Sequence, residues 1–191
     1  MTTTTASTEK SSAGTQLNAL LLAGVVVIAL IFAFSSTGDH WYALFKWIHV
    51  TFAVIWIGGG SFITILAIRA QRSGETAEIL TIARQAAFAG ERVFAPAGLI
   101  VFLMGIAMMI NTDWGWGTFW IDAGLVGYAA TFITGIAVLS PLAKRIQTTA
   151  AEKGPEHPDT LAVINKILLI ARVDIALLLL VIADMVTKPF M

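Results

Sequence analysis

The sequence contains no cysteine and few charged residues, and each of these absences excludes a kind of chemistry. Without cysteine, the chain of 191 residues can form no disulfide, no thiolate metal site and no cysteine nucleophile. Charged residues make up 13% of the chain, and the formal net charge is zero. There is no basic patch, phosphate-binding loop or aromatic-basic array, so we predict no nucleic-acid partner.

What the sequence has in excess is apolar surface. Hydrophobic residues make up 57% of the chain, and the mean hydropathy is +0.81. A soluble domain of this length cannot bury so much apolar surface. The composition therefore predicts a polytopic helical protein whose main partner is the lipid bilayer.

Five apolar segments approach the length of about 20 residues that a helix needs to span hydrocarbon. They lie at about 17–35, 41–68, 93–111, 119–140 and 167–187. We therefore predict an all-α, polytopic membrane helical bundle of five spans. It consists of a four-helix membrane domain over residues 41–189 and one additional N-terminal transmembrane helix over 17–35. The segment 17–35 could instead be a cleavable signal peptide.

The N-terminal segment 1–16 and the loops set the expected orientation. Residues 1–16, "MTTTTASTEKSSAGTQ", are polar and predict a disordered cytoplasmic tail. The connections 69–92 and 144–166 carry arginines and lysines, whereas "SSTGDH" and "NTDWGWGT" carry none. The positive-inside rule then places the two basic connections and the N-terminus in the cytoplasm, and the C-terminus outside a bacterial-type cytoplasmic (inner) membrane.

Ionisable residues within the spans fall at two depths. Near the outer side we expect Lys46, His49, Asp122 and Asp184, and near the inner side Glu91, Arg92, Arg172 and Asp174. Charges buried in a low dielectric need partners. We therefore predict structural buried charges at Arg92, Arg172, Asp174 and Asp184, with an ion pair between Arg92 and Asp174.

His49 is the side chain in the spans best suited to hold a haem iron or to exchange a proton near neutral pH. His49, Trp56 and Gly60 recur at helical spacing and share one stripe. The glycines at 58–60 favour close helix packing, and the same space could admit a flat ligand such as a porphyrin. The predicted cofactor-binding residues are His49 as ligand of the haem iron, with Lys46, Trp56 and Gly59 around it. Lys46 would meet a propionate.

The stretch that carries these residues, "WYALFKWIHVTFAVIWIGGG", resembles the first-helix signature of predicted integral membrane proteins called domain of unknown function 2269. The resemblance continues through "GERVFAPAGLIVFLMGI", "LSPLAKRI" and "KILLIARVDIALLLLVIADMVTKP", over about residues 41 to 189. It implies a four-helix core, to which the helix at 17–35 is an addition.

More distantly, the pattern K-x-x-H…W-x-G-G is similar to that of copper-resistance protein D and of the bacterial membrane protoporphyrinogen oxidase. It matches Lys46, His49, Trp56, Gly58 and Gly59. In the oxidase the corresponding histidine is associated with b-type haem, so this similarity implies haem b as cofactor.

Three functions follow from these residues. The first is a small integral membrane protein that binds b-haem or is otherwise redox-associated through His49. The alternative is a non-enzymatic membrane subunit or scaffold, in a homo-oligomer or a membrane complex, whose charges fix packing. The third is a proton- or ion-coupled transporter that uses Asp174 and Arg92. Five short spans without inverted repeats disfavour this transporter function. The sequence assigns no catalytic residue.

Overall fold

The computed structural model describes residues 4–35, 38–112 and 114–190, which contain helices and no strand. The helices are α1 (Thr4–Phe34), α2 (His40–Ala53), α3 (Gly59–Ser73), α4 (Thr76–Ala89), α5 (Ala95–Asn111), α6 (Phe119–Ile133), α7 (Ser140–Lys153) and α8 (Pro158–Thr187). Three π-helical turns, Val54–Gly58, Gly90–Phe94 and Thr134–Leu139, join α2 to α3, α4 to α5 and α6 to α7. The all-α prediction is confirmed.

Joined in this way, three helices are long and apolar enough to cross a membrane. They run from His40 to Ser73, from Thr76 to Asn111 and from Phe119 to Lys153, and a shorter apolar helix covers Asn18–Phe34. Helix α8 is not among the three. It carries Arg172, Asp174 and Asp184 among its apolar residues. The count of five spans therefore stays a prediction.

The chain divides into two compact units, Met1–Trp47 and Ile48–Met191. The first contains α1 and the beginning of α2. Helix α1 begins at Thr4 and so includes residues 4–16 of the predicted cytoplasmic tail, whose disorder stays a prediction. Residues 1–3 of that tail lie outside the described residues. Within this unit, the rings of Phe34 and Trp41 meet edge to face, with their centroids 5.9 Å apart.

Two of the three π turns end two residues before a proline. Pro96 is the second residue of α5 and Pro141 the second residue of α7. A proline inside a helix lacks an N–H donor and clashes with the carbonyl four residues earlier. A wider turn before it relieves that clash and re-pairs the backbone groups, which matters most where lipid replaces water. The third π turn, Val54–Gly58, instead leads into the glycines that begin α3.

At one end of the second unit, short turns replace the connections expected from the sequence. Helix α3 ends at Ser73, Gly74 adopts a left-handed φ of 75°, and α4 begins at Thr76. Likewise α7 ends at Lys153, and Gly154 turns the chain with a φ of 101° before α8 begins. The predicted connections 69–92 and 144–166 are therefore mostly helix, because apolar residues recur within them at helical spacing. We call the end of the second unit that contains these two turns the basic end.

Helices α3, α4, α7 and α8 pack together at the basic end. Ile146 and Ile164, which are 1% and 2% exposed, lie at the centre of this core. Around them are Ala70, Ile79, Ala83, Leu142, Val163 and Leu168. The side-chain amide of Gln147 also donates a hydrogen bond of 2.7 Å to the carbonyl of Leu80, which ties α7 to α4. The three long helices thus continue as a packed bundle beyond the segments expected to span the bilayer.

This arrangement makes the predicted orientation testable with single cysteines. Glu75→Cys and Glu156→Cys place a thiol in each turn of the basic end, and Trp116→Cys places one between α5 and α6. We expect a membrane-impermeant maleimide to label Trp116→Cys in intact cells, and the other two only after the membrane is opened. The natural chain has no cysteine and gives the background. Labelling of either basic-end turn in intact cells would contradict the orientation.

Candidate functional site

Two cavities lie end to end inside the second unit. The larger, about 480 Å³, is lined by His49 and by side chains of α5, α6 and α8; we call it the histidine cavity. The smaller, about 150 Å³, lies toward the basic end and is lined by Asp174; we call it the aspartate cavity. Trp56 and Leu178 line both cavities and so stand between them.

His49 is held in one orientation by α5. Its Nδ1 lies 2.8 Å from the carbonyl oxygen of Val101. A carbonyl oxygen only accepts, so Nδ1 carries a proton and donates it, which leaves Nε2 as the nitrogen able to bind a metal or accept a proton. Gly105 lies beside the ring, where a Cβ would be in van der Waals contact with His49 Cε1 at 3.4 Å.

The rest of the histidine cavity is mainly apolar and aromatic. Its walls include Val50, Phe102, Met109, Trp120, Leu125 and Met185. Its volume lies within the range of about 300–1,000 Å³ that is typical of small-molecule and cofactor sites. An apolar wall with a single imidazole suits a flat, hydrophobic molecule that needs one nitrogen ligand.

An aromatic cluster fills the space between the two cavities. The ring of Trp56 meets those of Tyr128 and Phe132 edge to face, at centroid distances of 5.6 and 6.1 Å. Tyr128 also stacks on Phe102 and on Phe132, at 5.3 Å each. The hydroxyl of Tyr128 donates to the carbonyl oxygen of Gly98, 3.1 Å away, and so fixes the cluster against α5.

The far end of the histidine cavity, which we call the tryptophan end, holds polar groups that the apolar walls lack. Trp120 is 5% exposed, and its indole Nε1–H finds no hydrogen-bond acceptor among the described residues. The ammonium of Lys188 lies 4.1 Å from the ring centroid of Trp114 and 5.1 Å from that of Trp120. Both tryptophans line the cavity, whereas Lys188 lies over their rings without lining the cavity itself.

A buried oxygen of Asp184 lies at the same end. Asp184 Oδ2 has no hydrogen-bond partner within the described part of the chain. It faces α6, where a Cβ on Gly124 would lie 3.3 Å from it. Of the four predicted buried charges, Asp184 and Asp174 are half-buried, while Arg92 and Arg172 are exposed on the bundle surface. The structural role predicted for the two arginines stays a prediction.

The predicted ion pair between Arg92 and Asp174 is not formed in the described residues. Glu91, beside Arg92, pairs instead with Lys144 of α7. Arg172 reaches sideways, with its Nη2 3.4 Å from Oε1 of Gln71 on α3. The long side chain of Arg172 thus reaches a polar group away from Asp174.

The structure assigns the remaining predicted site residues to different places. Trp56 lines the histidine cavity, whereas Gly59 lines neither cavity. Gly59 lies against Phe94, whose Cε1 would be 2.6 Å from a Cβ added there. Lys46 belongs to the first unit, where its ammonium lies 5.8 Å from the ring centroid of Tyr42. Its predicted place beside a cofactor stays a prediction.

The same residues carry a match to a known family. The family model described as "Predicted integral membrane protein (DUF2269)" matches residues 43–189. The chain belongs to this family. Membership confirms the resemblance drawn from the sequence and makes the chain an integral membrane protein of the lipid bilayer. Large apolar side chains on the bundle surface, such as Val126 and Val186, agree with contact with lipid.

Neither a curated protein nor a solved structure matches the chain. The more distant similarity to copper-resistance protein D and to protoporphyrinogen oxidase therefore stays a prediction. No group of three or more histidine or acidic side chains able to hold a metal ion occurs in the described residues.

The sequence did not predict that Lys188 and Trp120 lie close together at the tryptophan end. The signal that could have linked them is their position, since both stand at the same end of neighbouring helices α6 and α8. The prolines at 96 and 141 were a second signal, because proline inside a long apolar helix indicates a local distortion.

Proposed function

We propose that this family member binds a b-type haem in the histidine cavity, with Nε2 of His49 as the protein ligand to the iron. The observation that carries the proposal is the hydrogen bond from Nδ1–H to the carbonyl of Val101. A histidine that ligates a metal through one nitrogen characteristically donates from the other, which fixes the tautomer and orients the ring. His49 is the one histidine in the lining of the cavity.

The tryptophan end supports the second requirement of a haem, which is a partner for its propionates. The unpaired indole N–H of Trp120 lies in the cavity lining, and the ammonium of Lys188 lies next to it, 5.1 Å from the Trp120 ring centroid. Charge-assisted hydrogen bonds to a carboxylate would satisfy both groups. In this proposal Lys188 takes the part that the sequence assigned to Lys46. Haem, when bound, would supply one-electron redox chemistry, and the protein would be a redox-associated membrane protein.

Haem content of the purified protein tests the proposal. We expect protein from haem-replete cells to show a Soret band that His49→Ala abolishes, because the variant removes the iron ligand. Lys188→Gln should retain the band but lose haem faster during washing, since it removes only a propionate partner. His157→Ala is the matched control: this histidine caps α8 outside the cavity, where its Nδ1 accepts from Asp159 N–H.

Two results would contradict the proposal. One is wild-type protein without haem from cells that supply it. The other is His49→Ala protein that keeps its full haem content. Either result would favour the scaffold alternative, in which His49 stabilises the contact between α2 and α5 through Val101.

A further inference from the structure

The aspartate cavity contains a carboxylate that the proposed haem site does not use. Asp174 of α8 is half-buried and lines this cavity together with residues from all three π turns. Within the described part of the chain, the Asp174 carboxylate makes no hydrogen bond and no ion pair. An unpaired carboxylate inside a membrane bundle is costly, and residues of this kind commonly mark proton or ion sites.

The groups around Asp174 offer no compensating charge. Helix α8 packs against α3, α6, α7 and the turn Thr134–Leu139. The titratable residues on these elements are Arg69, Arg72, Asp122, Tyr128, Lys144, Arg145, Glu152 and Lys153, and none of them lines the aspartate cavity. Arg172, two residues before Asp174, faces the surface toward Gln71. Asp174 is thus the one titratable side chain among the residues that line this cavity.

The polar groups that do line the cavity are hydroxyls. Ser61, Thr64, Thr131 and Ser140 contribute them. Thr64 Oγ1 already donates to the carbonyl of Gly60 and Thr131 Oγ1 to the carbonyl of Tyr128, each 3.0 Å away. The remaining lining is almost entirely aliphatic or aromatic. A metal cation such as Na⁺ needs several oxygen ligands to replace its water shell, which so apolar a lining does not supply. A proton needs only the carboxylate itself, with a hydroxyl or a water as the exchange partner.

We infer that Asp174 is a proton-exchange site in the membrane domain, with its carboxyl in the aspartate cavity. It is separate from His49, because Trp56 and Leu178 stand between the two cavities. Residues of all three π turns line the aspartate cavity, and π turns inside helices are frequent at functional sites. The exchange involves only binding and release of H⁺ at the Asp174 carboxyl, with water as donor and acceptor.

Infrared spectroscopy of the protein in lipid vesicles tests this inference directly. We expect a protonated-carboxyl C=O band that moves when H₂O is replaced by D₂O and fades reversibly as the pH is raised. Asp174→Asn should remove the band, and Asp174→Glu should shift it without removing it. Asp184→Asn is the matched control, since it changes the other half-buried carboxyl of α8, and it should leave the Asp174 band in place.

Each other outcome would overturn the inference. Absence of a band assignable to Asp174 at every pH would mean that the carboxylate stays charged. A band that neither shifts in D₂O nor titrates would mean a sealed carboxyl that does not exchange. Loss of the band on adding Na⁺ at constant pH would identify a metal-cation site instead. His49→Ala, which removes the proposed haem ligand, should leave the band unchanged, so the two proposals fail separately.

Discussion

Ile146→Ala should destabilise the protein by about 2–5 kcal/mol, the usual cost of removing a large aliphatic side chain from a packed core. Ile146 is 1% exposed and lies at the centre of the basic-end core between α4, α7 and α8. Its truncation leaves a cavity that the neighbouring helices can fill only in part. The measurement is the thermal unfolding midpoint in a mild detergent, followed by loss of helical circular dichroism.

Leu161→Ala is the matched control for that variant. Leu161 belongs to the same end of the bundle but is 39% exposed, so its truncation should cost much less. If residues 144–166 formed a loose connection, the two variants would behave alike. Equal midpoints for Ile146→Ala and Leu161→Ala would therefore contradict the packed basic end.

The all-α class and the membrane location were predictable because they depend on composition and on the length of apolar runs, both of which the sequence states directly. The packed basic end was not predicted. The charges of Arg69, Arg84 and Lys144 were used to predict the orientation in the membrane, and the helical spacing of the apolar residues between them was not considered. In the same stretches Ile79 and Ala83 recur at helical spacing and lie buried in the core. The charged residues mark the exposed side of helices whose other side is apolar.

The candidate site was predicted in part, for a reason that its residues illustrate. His49 and Trp56 lie on one helical stripe, and both line the histidine cavity, since spacing along one helix is readable from sequence. The acceptor of the His49 hydrogen bond, Val101, is 52 residues away on α5, and no spacing rule reaches it. The prediction of an Arg92–Asp174 ion pair was wrong because it rested on their similar depth in the bilayer. Depth does not determine which way a side chain faces.

Gly127→Ala should destabilise the packing of α6 against α8 by about 1–3 kcal/mol, the usual cost of overpacking. A Cβ at residue 127 would lie 2.4 Å from Cγ2 of Val181, far inside ordinary van der Waals contact. Val181 is β-branched, so its methyl group cannot easily turn away, and one of the two helices has to shift. Small residues at such a crossing are what lets two helices in a membrane approach closely.

A double-mutant cycle separates this clash from a general effect of losing glycine. Val181→Ala removes Cγ2, and the next nearest atom, Val181 Cβ, would be 3.9 Å from the new methyl group. Gly127→Ala should therefore cost much less in the Val181→Ala background than in the natural chain. Gly60→Ala is the matched control: a Cβ there meets nothing within 4 Å, and the gain in helix propensity should leave stability equal or raised by up to about 1 kcal/mol. Thermal midpoints of the four proteins in the cycle and of the control supply the comparison. If Gly127→Ala and Gly60→Ala had the same effect, or if Val181→Ala gave no relief, the close approach of α6 and α8 at this position would be refuted.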